Sequence, residues 1–150
     1  MDIDLILAIA HHLAVFALVA LYAGELVLLR PGLSGGRIRQ LLTIDLAYGG
    51  VAGLVIVVGI VRVIFGVRGW EYYATNHMFW GKMVAFLVVA LLTIQPTMAI
   101  RKWRKGLAMD EGYVPPAVEI ATSRRFVHLQ AGVLLLIPIF AAAMARGYGS

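Results

Sequence analysis

Ionisable and imidazole side chains within long apolar stretches are the residues of this sequence whose types could do chemistry. An ionisable group in membrane hydrocarbon costs at least about 2.5–3.5 kcal/mol, so it is expected to face a helix-bundle interior and find a partner there. Expected depth along apolar helices divides the candidates into two groups. The first group is His11, His12, Arg62, His77 and Lys82. The second group is Glu25, Asp45, Tyr48, Arg124, Arg125 and His128.

The first group is suited to holding a haem. Imidazoles in a helix-bundle core suit axial ligation of haem iron, and flanking arginines and lysines pair with its propionates. Lys82 follows His77 by five residues, or about 7 Å of helix, which gives it a height similar to those of His11, His12 and Arg62. These residues therefore predict one haem b, ligated by His11 or His12 together with His77 or Lys82.

Helical phase distinguishes the two adjacent histidines. At about 100° per residue, His11 shares a stripe with Tyr22 and Glu25, whereas His12 shares a more apolar stripe with Phe16. We therefore expect His11 to face the interior. An alternative stays open for the rest of the first group, in which His77 is only interfacial and the long cationic side chains snorkel to the membrane surface.

The second group combines acids and bases at similar expected depth. Glu25 or Asp45 paired with Arg124 or Arg125 is the natural prediction, because buried ionisable groups need partners. Alternatively, the two arginines serve membrane topology alone. His128 is a further candidate cofactor contact, but no second histidine shares its depth, so we predict no second haem.

Four apolar segments must position these side chains, and they cover residues 5–29, 46–67, 78–100 and 126–145. Each has about the 20 residues that cross a bilayer core, and each is too uniformly apolar for a barrel strand. The chain is 61% hydrophobic and 14% charged, against about 45–50% and 25% in soluble proteins. Residues 1–150 are therefore predicted to form a single all-α membrane domain.

Basic residues set the predicted orientation. Of the 13 lysines and arginines, most flank the first and third connections: Arg30, Arg37, Arg39, Arg101, Lys102, Arg104, Lys105, Arg124 and Arg125. The positive-inside rule places these connections in the cytoplasm and both termini outside. Short connections predict an up-down-up-down bundle. The aromatic side chains of Trp70 and, on the opposite side, Trp103 suit anchoring at the membrane interface.

Several function classes are excluded or disfavoured by composition. The absence of cysteine excludes disulfides, iron–sulfur clusters and cysteine-type zinc sites. The sequence has no HExxH motif and no carboxylate cluster for a di-metal site. The net charge of +5 lies beside apolar segments, which predicts contact with membrane lipids rather than with nucleic acid.

The string from His11 to Arg30 resembles the first helix of the DUF2214 family of small bacterial membrane proteins. Phe79-Trp80-Gly81-Lys82 and Arg124-Arg125-Phe126-Val127-His128 fit the same family. The resemblance covers nearly the whole chain. It implies a multi-pass protein of the bacterial inner membrane, without implying an activity.

The arrangement of four membrane helices and their polar residues is more distantly similar to HemJ-type protoporphyrinogen oxidases and to copper-resistance D-like membrane domains. HemJ-type proteins bind b-type haem, with a histidine early in helix one and a lysine soon after a tryptophan in helix three. His11 or His12 corresponds to the first feature, and Trp80 with Lys82 to the second. The resemblance therefore implies haem binding with Trp80 close by. The HemJ-type Asn-Glu-x-Pro string is replaced here by Gln130-Ala131-Gly132, so porphyrinogen oxidation is not implied.

Three functions are compatible with this sequence. The sequence favours a haem b-binding protein with an electron-transfer or oxidoreductase role, served by a redox partner or a quinone. The second is a small permease or metal-handling protein, in which Glu25, Asp45, Lys82 and Arg62 line a path through a homo-oligomer. The third is a non-catalytic scaffold whose polar side chains only hold helices together.

Overall fold

The computed structural model describes residues 2–150, which form five helices and no strand. The helices are α1 (Ile3–Leu28), α2 (Gly35–Phe65), α3 (Gly69–Thr75), α4 (His77–Met109) and α5 (Ala117–Ala145). All except the short α3 are long and apolar enough to cross a membrane. The predicted all-α class with four membrane helices is confirmed.

Three of the long helices extend well beyond the predicted membrane spans. α2 begins at Gly35 instead of residue 46, α4 ends at Met109 instead of residue 100, and α5 begins at Ala117 instead of residue 126. The added turns are amphipathic, and each keeps fully buried side chains on its inner face, such as Ile38 in α2 and Trp103 in α4. Hydropathy detects only the part of a helix that lipid surrounds, so these turns were predicted as connections.

Antiparallel contacts join successive long helices. Gly24 of α1 lies against Ile44 of α2, whereas the earlier His11 lies against the later Gly59. α4 and α5 are likewise antiparallel. α2 packs against α4 and so joins the α1–α2 pair to the α4–α5 pair. The side of the membrane that holds the termini stays a prediction.

The bundle has two ends that differ in packing. We call the end with α3 and the starts of α1 and α4 the terminal end, and the opposite end, with the α1–α2 and α4–α5 connections, the basic end. The fully buried side chains concentrate in the middle and at the basic end. They include Leu29, Leu33, Ile38, Leu41, Ile100, Trp103, Ile120 and Val127.

Packing is looser towards the terminal end. α1 has no buried residue before Ala14, α2 has none after Val55, and α5 has none after Gln130. The first group of candidate residues lies in this part of the bundle. Outside, large apolar side chains such as Phe16 and Leu135 are exposed, as contact with lipid requires.

The chain end is attached to the start of α4. Asn76 is fully buried, and its Oδ1 accepts hydrogen bonds from the backbone N–H groups of Met78 and Phe79 at 2.9 and 3.2 Å. Its Nδ2 donates to the carbonyl of Tyr148 at 3.2 Å. Asn76 therefore caps α4 and holds the last residues of the chain against it.

Candidate functional site

Three nitrogen-bearing side chains from three helices meet near the terminal end, and we call His11, Arg62 and Lys82 the terminal-end cluster. His11 is half-buried, and its Nδ1 is buried without a hydrogen-bond partner among residues 2–150. The imidazole lies against Gly59 of α2, where a Cβ would be 3.6 Å from Cε1 of His11, an ordinary van der Waals distance. The Nε of Arg62 is also buried and unpartnered.

The cluster carries positive charge, and no carboxylate among residues 2–150 lies within salt-bridge distance of it. Arg62 and Lys82 lie within electrostatic range of His11. Over residues 2–150, the only ion pair within salt-bridge distance is Lys102 with Glu119, 2.5 Å apart at the basic end. The Nζ of Lys82 lies 5.5 Å from the centroid of the Phe79 ring, which is its only described contact. Cations that lack a carboxylate beside an unpaired imidazole are unfavourable in low-dielectric surroundings. An anionic ligand would remove that cost.

The other residues of the first group do not join the cluster. His12 is exposed, and its Nδ1 lies 2.7 Å from the carbonyl oxygen of Ala8 on its own helix. His77 is exposed, with Nδ1 3.1 Å from the carbonyl oxygen of Gly149. Of the adjacent pair, His11 is therefore the more inward-facing member, as its helical phase predicts.

Trp80 lies outside the cluster as well. It is 55% exposed, and its indole N–H donates to the carbonyl of Ala74 at 2.9 Å. Its expected place beside a bound group is therefore not supported by a contact in the structure. Residues 2–150 hold no set of three or more His, Asp or Glu side chains that could bind a metal ion together. A haem differs from such a site because it needs only one or two protein ligands.

The predicted ion pairs of the second group are not formed within salt-bridge distance among residues 2–150. Glu25 and Asp45 are buried, but neither lies within salt-bridge distance of an arginine. Arg124 instead donates from Nη1 to the carbonyl of Leu29 at 3.1 Å, and Arg125 is exposed. Leu29 is one turn beyond Glu25, at the end of α1, where helix carbonyls lack intrahelical partners. The arginines thus lie closer to the basic end than the carboxyl groups do.

A layer of polar side chains crosses the middle of the bundle, and we call it the interior polar belt. Its members, from all four long helices, are Tyr22, Glu25, Asp45, Tyr48, Thr93, Thr97 and Gln130. The Oγ1 of Thr97 donates to Oδ1 of Asp45 at 2.6 Å. The hydroxyls of Tyr48 and Thr93 approach Oε1 of Gln130 at 3.5 and 3.4 Å. Sequence reasoning missed both the threonine and the glutamine contacts, although the four-residue spacing of the threonines was a signal.

One more bond joins the belt to α5. The hydroxyl of Tyr22 donates to the backbone carbonyl of Val127 at 2.5 Å, and both residues are buried. This contact fixes α1 against α5 in the middle of the bundle. Hydrogen bonds of the belt therefore involve all four long helices, although the side chain of Glu25 takes part in none of them.

Comparison with protein families gives one match. The sequence model of DUF2214, described as a predicted membrane protein, matches residues 3–149. The chain belongs to the DUF2214 family. No curated protein matches it, and no solved structure does. The family description as a membrane protein agrees with the four apolar helices of this DUF2214 protein. The similarity of the chain to HemJ-type oxidases stays a prediction.

His128 of this DUF2214 protein lies on the surface of the bundle. Its Nδ1 is 2.7 Å from the carbonyl oxygen of Arg124 on the same helix. With Pro31, Arg124 and Arg125 it lines an open groove of about 370 Å³ at the basic end. His128 therefore does not face the interior, and its expected role as a cofactor contact finds no support from its position.

Proposed function

We propose that this DUF2214 protein binds haem b at the terminal-end cluster and has an electron-transfer or oxidoreductase role. The observation that carries the proposal is the buried, unpartnered Nδ1 of His11 beside two cations that lack a carboxylate. A neutral imidazole nitrogen is a common axial ligand of haem iron. Arginine and lysine are the side chains that neutralise propionates. One haem would therefore meet both unsatisfied requirements of the cluster.

The looser packing at the terminal end also supports the proposal. A planar ring system must lie between helices, and the buried side chains that fill the bundle elsewhere are absent beyond Ala14 of α1 and Val55 of α2. In this proposal His11 holds the iron, while Arg62 and Lys82 neutralise the propionates. The bound haem would supply one-electron chemistry.

The basic residues support a location and partners for this activity. We infer that the protein lies in the bacterial inner membrane with the basic end towards the cytoplasm, because lysines and arginines concentrate there. The terminal-end cluster would then open towards the outer side. A redox partner or a membrane quinone would exchange electrons with it, and a homo-oligomer is compatible with the apolar outer faces.

An optical spectrum tests the proposal. The protein is expressed in cells supplied with a haem precursor, purified, and measured before and after reduction with dithionite. We expect a Soret band that shifts on reduction. His11→Ala should abolish the band, and the matched control His12→Ala should keep it, because His12 is exposed and bonded to its own helix.

Charge variants test the role given to the cations. Lys82→Arg preserves the positive charge and should retain haem, whereas Lys82→Gln and Arg62→Gln should each reduce the haem content of the purified protein. A colourless wild-type protein would contradict the proposal. So would a pair of histidine variants in which His12→Ala loses haem and His11→Ala keeps it.

A further inference from the structure

Two carboxylic acids are buried together in the middle of the bundle. Glu25 is 3% exposed and Asp45 is 4% exposed. Their helices are in contact one residue earlier, where a Cβ on Gly24 would lie 3.3 Å from Cδ1 of Ile44. The two acids come from different helices, α1 and α2, so the fold rather than local sequence brings them together. The terminal-end cluster does not include them. His11 and Glu25 are separated by 14 residues of α1, or about 21 Å.

The side chain of Glu25 has no hydrogen-bond partner among residues 2–150, although it is more than nine-tenths buried. Asp45 accepts one hydrogen bond, from Thr97. An ionised carboxylate normally accepts several, because it has two oxygens and about four lone-pair sites. This deficit is an observation separate from the proximity of the two acids, and it disfavours the ionised form of both carboxyl groups.

The groups around the pair do not neutralise two negative charges. They are Tyr22 on α1, Tyr48 on α2, Thr97 and Arg101 on α4, and Arg124 and Gln130 on α5. Arg101 is exposed and acts on Asp45 only from beyond salt-bridge distance. The guanidinium of Arg124 is bonded to the carbonyl of Leu29. The remaining groups are uncharged.

We infer that Glu25 and Asp45 form a proton-binding site inside the membrane, which holds at least one proton at neutral pH. Two like charges in a low-dielectric interior are strongly unfavourable, and protonation of one carboxyl removes that repulsion. The added proton also gives Glu25 an O–H donor, which an ionised carboxylate lacks. A divalent cation would need more oxygen ligands, since Ca²⁺ takes six to eight. This inference goes beyond the proposed haem site and does not depend on it.

Infrared spectroscopy of the purified full-length protein in lipid nanodiscs tests the inference. Exposed aspartates and glutamates are ionised at neutral pH, so the carbonyl band of a protonated carboxylic acid at that pH reports buried acids. We expect this band in the wild type, with a shift in D₂O. Glu25→Gln should remove or strongly weaken it, and Asp45→Asn should change it because the shared site is lost. Glu71→Gln, in the exposed part of α3, should leave the band unchanged.

Isotope labelling keeps the test valid if a variant does not fold. Incorporation of carbon-13 carboxyl-labelled glutamate into the wild type should shift the band to lower frequency without any substitution. Absence of the band at neutral pH would overturn the inference, as would a band that neither Glu25→Gln nor Asp45→Asn alters. A band that emerges only when sodium is replaced by choline would assign the site to a metal cation and would also overturn it. None of these outcomes depends on haem.

Discussion

Trp103 offers a quantitative test of the structure, because sequence and structure assign it different roles. Its position after a membrane span predicts an aromatic anchor at the interface. In the structure it is fully buried between α4 and α5, and its indole N–H donates to Oε2 of Glu119 at 2.8 Å. Substitution with alanine removes the largest fully buried side chain of the core. An interfacial anchor and a core residue respond very differently to this change.

The expected magnitude follows from burial. Truncation of a buried tryptophan to alanine costs about 3–5 kcal/mol, because transfer free energy is lost and a cavity is left. Glu119 is partly exposed and can exchange its lost donor for water, so the hydrogen bond adds little. We therefore expect Trp103→Ala to lower the free energy of unfolding by about 4 kcal/mol. Trp103→Phe keeps a ring in the core and should cost about 1–2 kcal/mol.

Equilibrium unfolding in mixed micelles of a mild detergent and sodium dodecyl sulfate measures these values. Far-ultraviolet circular dichroism should follow the transition, because the substitution itself changes tryptophan fluorescence. Trp70→Ala is the matched control, since Trp70 is 62% exposed and should cost less than about 1 kcal/mol. If Trp103→Ala and Trp70→Ala destabilise the protein equally, the packing of α4 against α5 described here is wrong.

Two further predictions test the packing and the orientation. Gly81→Ala places a Cβ 3.0 Å from the ring of Phe140. This overpacking costs about 1–3 kcal/mol, and the higher helix propensity of alanine offsets about 1 kcal/mol, so we expect the unfolding free energy to fall by up to about 2 kcal/mol. Gly49→Ala, with nothing within 4 Å, should be neutral or stabilising, and equal effects of the two substitutions in the same unfolding assay would contradict this packing. Since the chain lacks cysteine, Ser150→Cys on spheroplasts should react with a membrane-impermeant maleimide, and Gly36→Cys should react only after lysis. The reverse labelling pattern would invert the proposed topology.

The helical class and the inward face of α1 were predictable because both depend on local pattern. Four apolar runs need lipid, and the phase of a single helix separates His11 from His12. The true lengths of α2, α4 and α5 were not predictable from hydropathy. The helical turns beyond each apolar run carry only a narrow apolar stripe, which does not raise the average hydropathy of those turns. Trp103 was misassigned for the same reason, since it lies on that stripe beyond the end of the apolar run.

The site was predictable only as a set of residues. Which acids meet which bases depends on the relative height and rotation of separate helices, and the sequence of each helix does not fix these. Arg124 lies about one turn too far towards the basic end to reach Glu25, so it bonds a helix carbonyl instead. The contacts of Thr93, Thr97 and Gln130 were missed because uncharged polar residues barely change hydropathy, although they hold the belt together.

The separation of unlike charges argues against a purely structural role for these side chains. The cations of the terminal-end cluster and the acids of the belt could have neutralised one another, but α1 holds His11 and Glu25 about 21 Å apart. At that distance, with an effective dielectric constant of about 20, opposite charges attract by less than about 1 kcal/mol. Each ionised group costs at least about 2.5–3.5 kcal/mol to insert, so distant attraction does not offset insertion. Helix association alone would be better served by adjacent pairs. The two ligands that we propose, an anionic haem at the terminal-end cluster and a proton at the acid pair, would account for both unpaired sets.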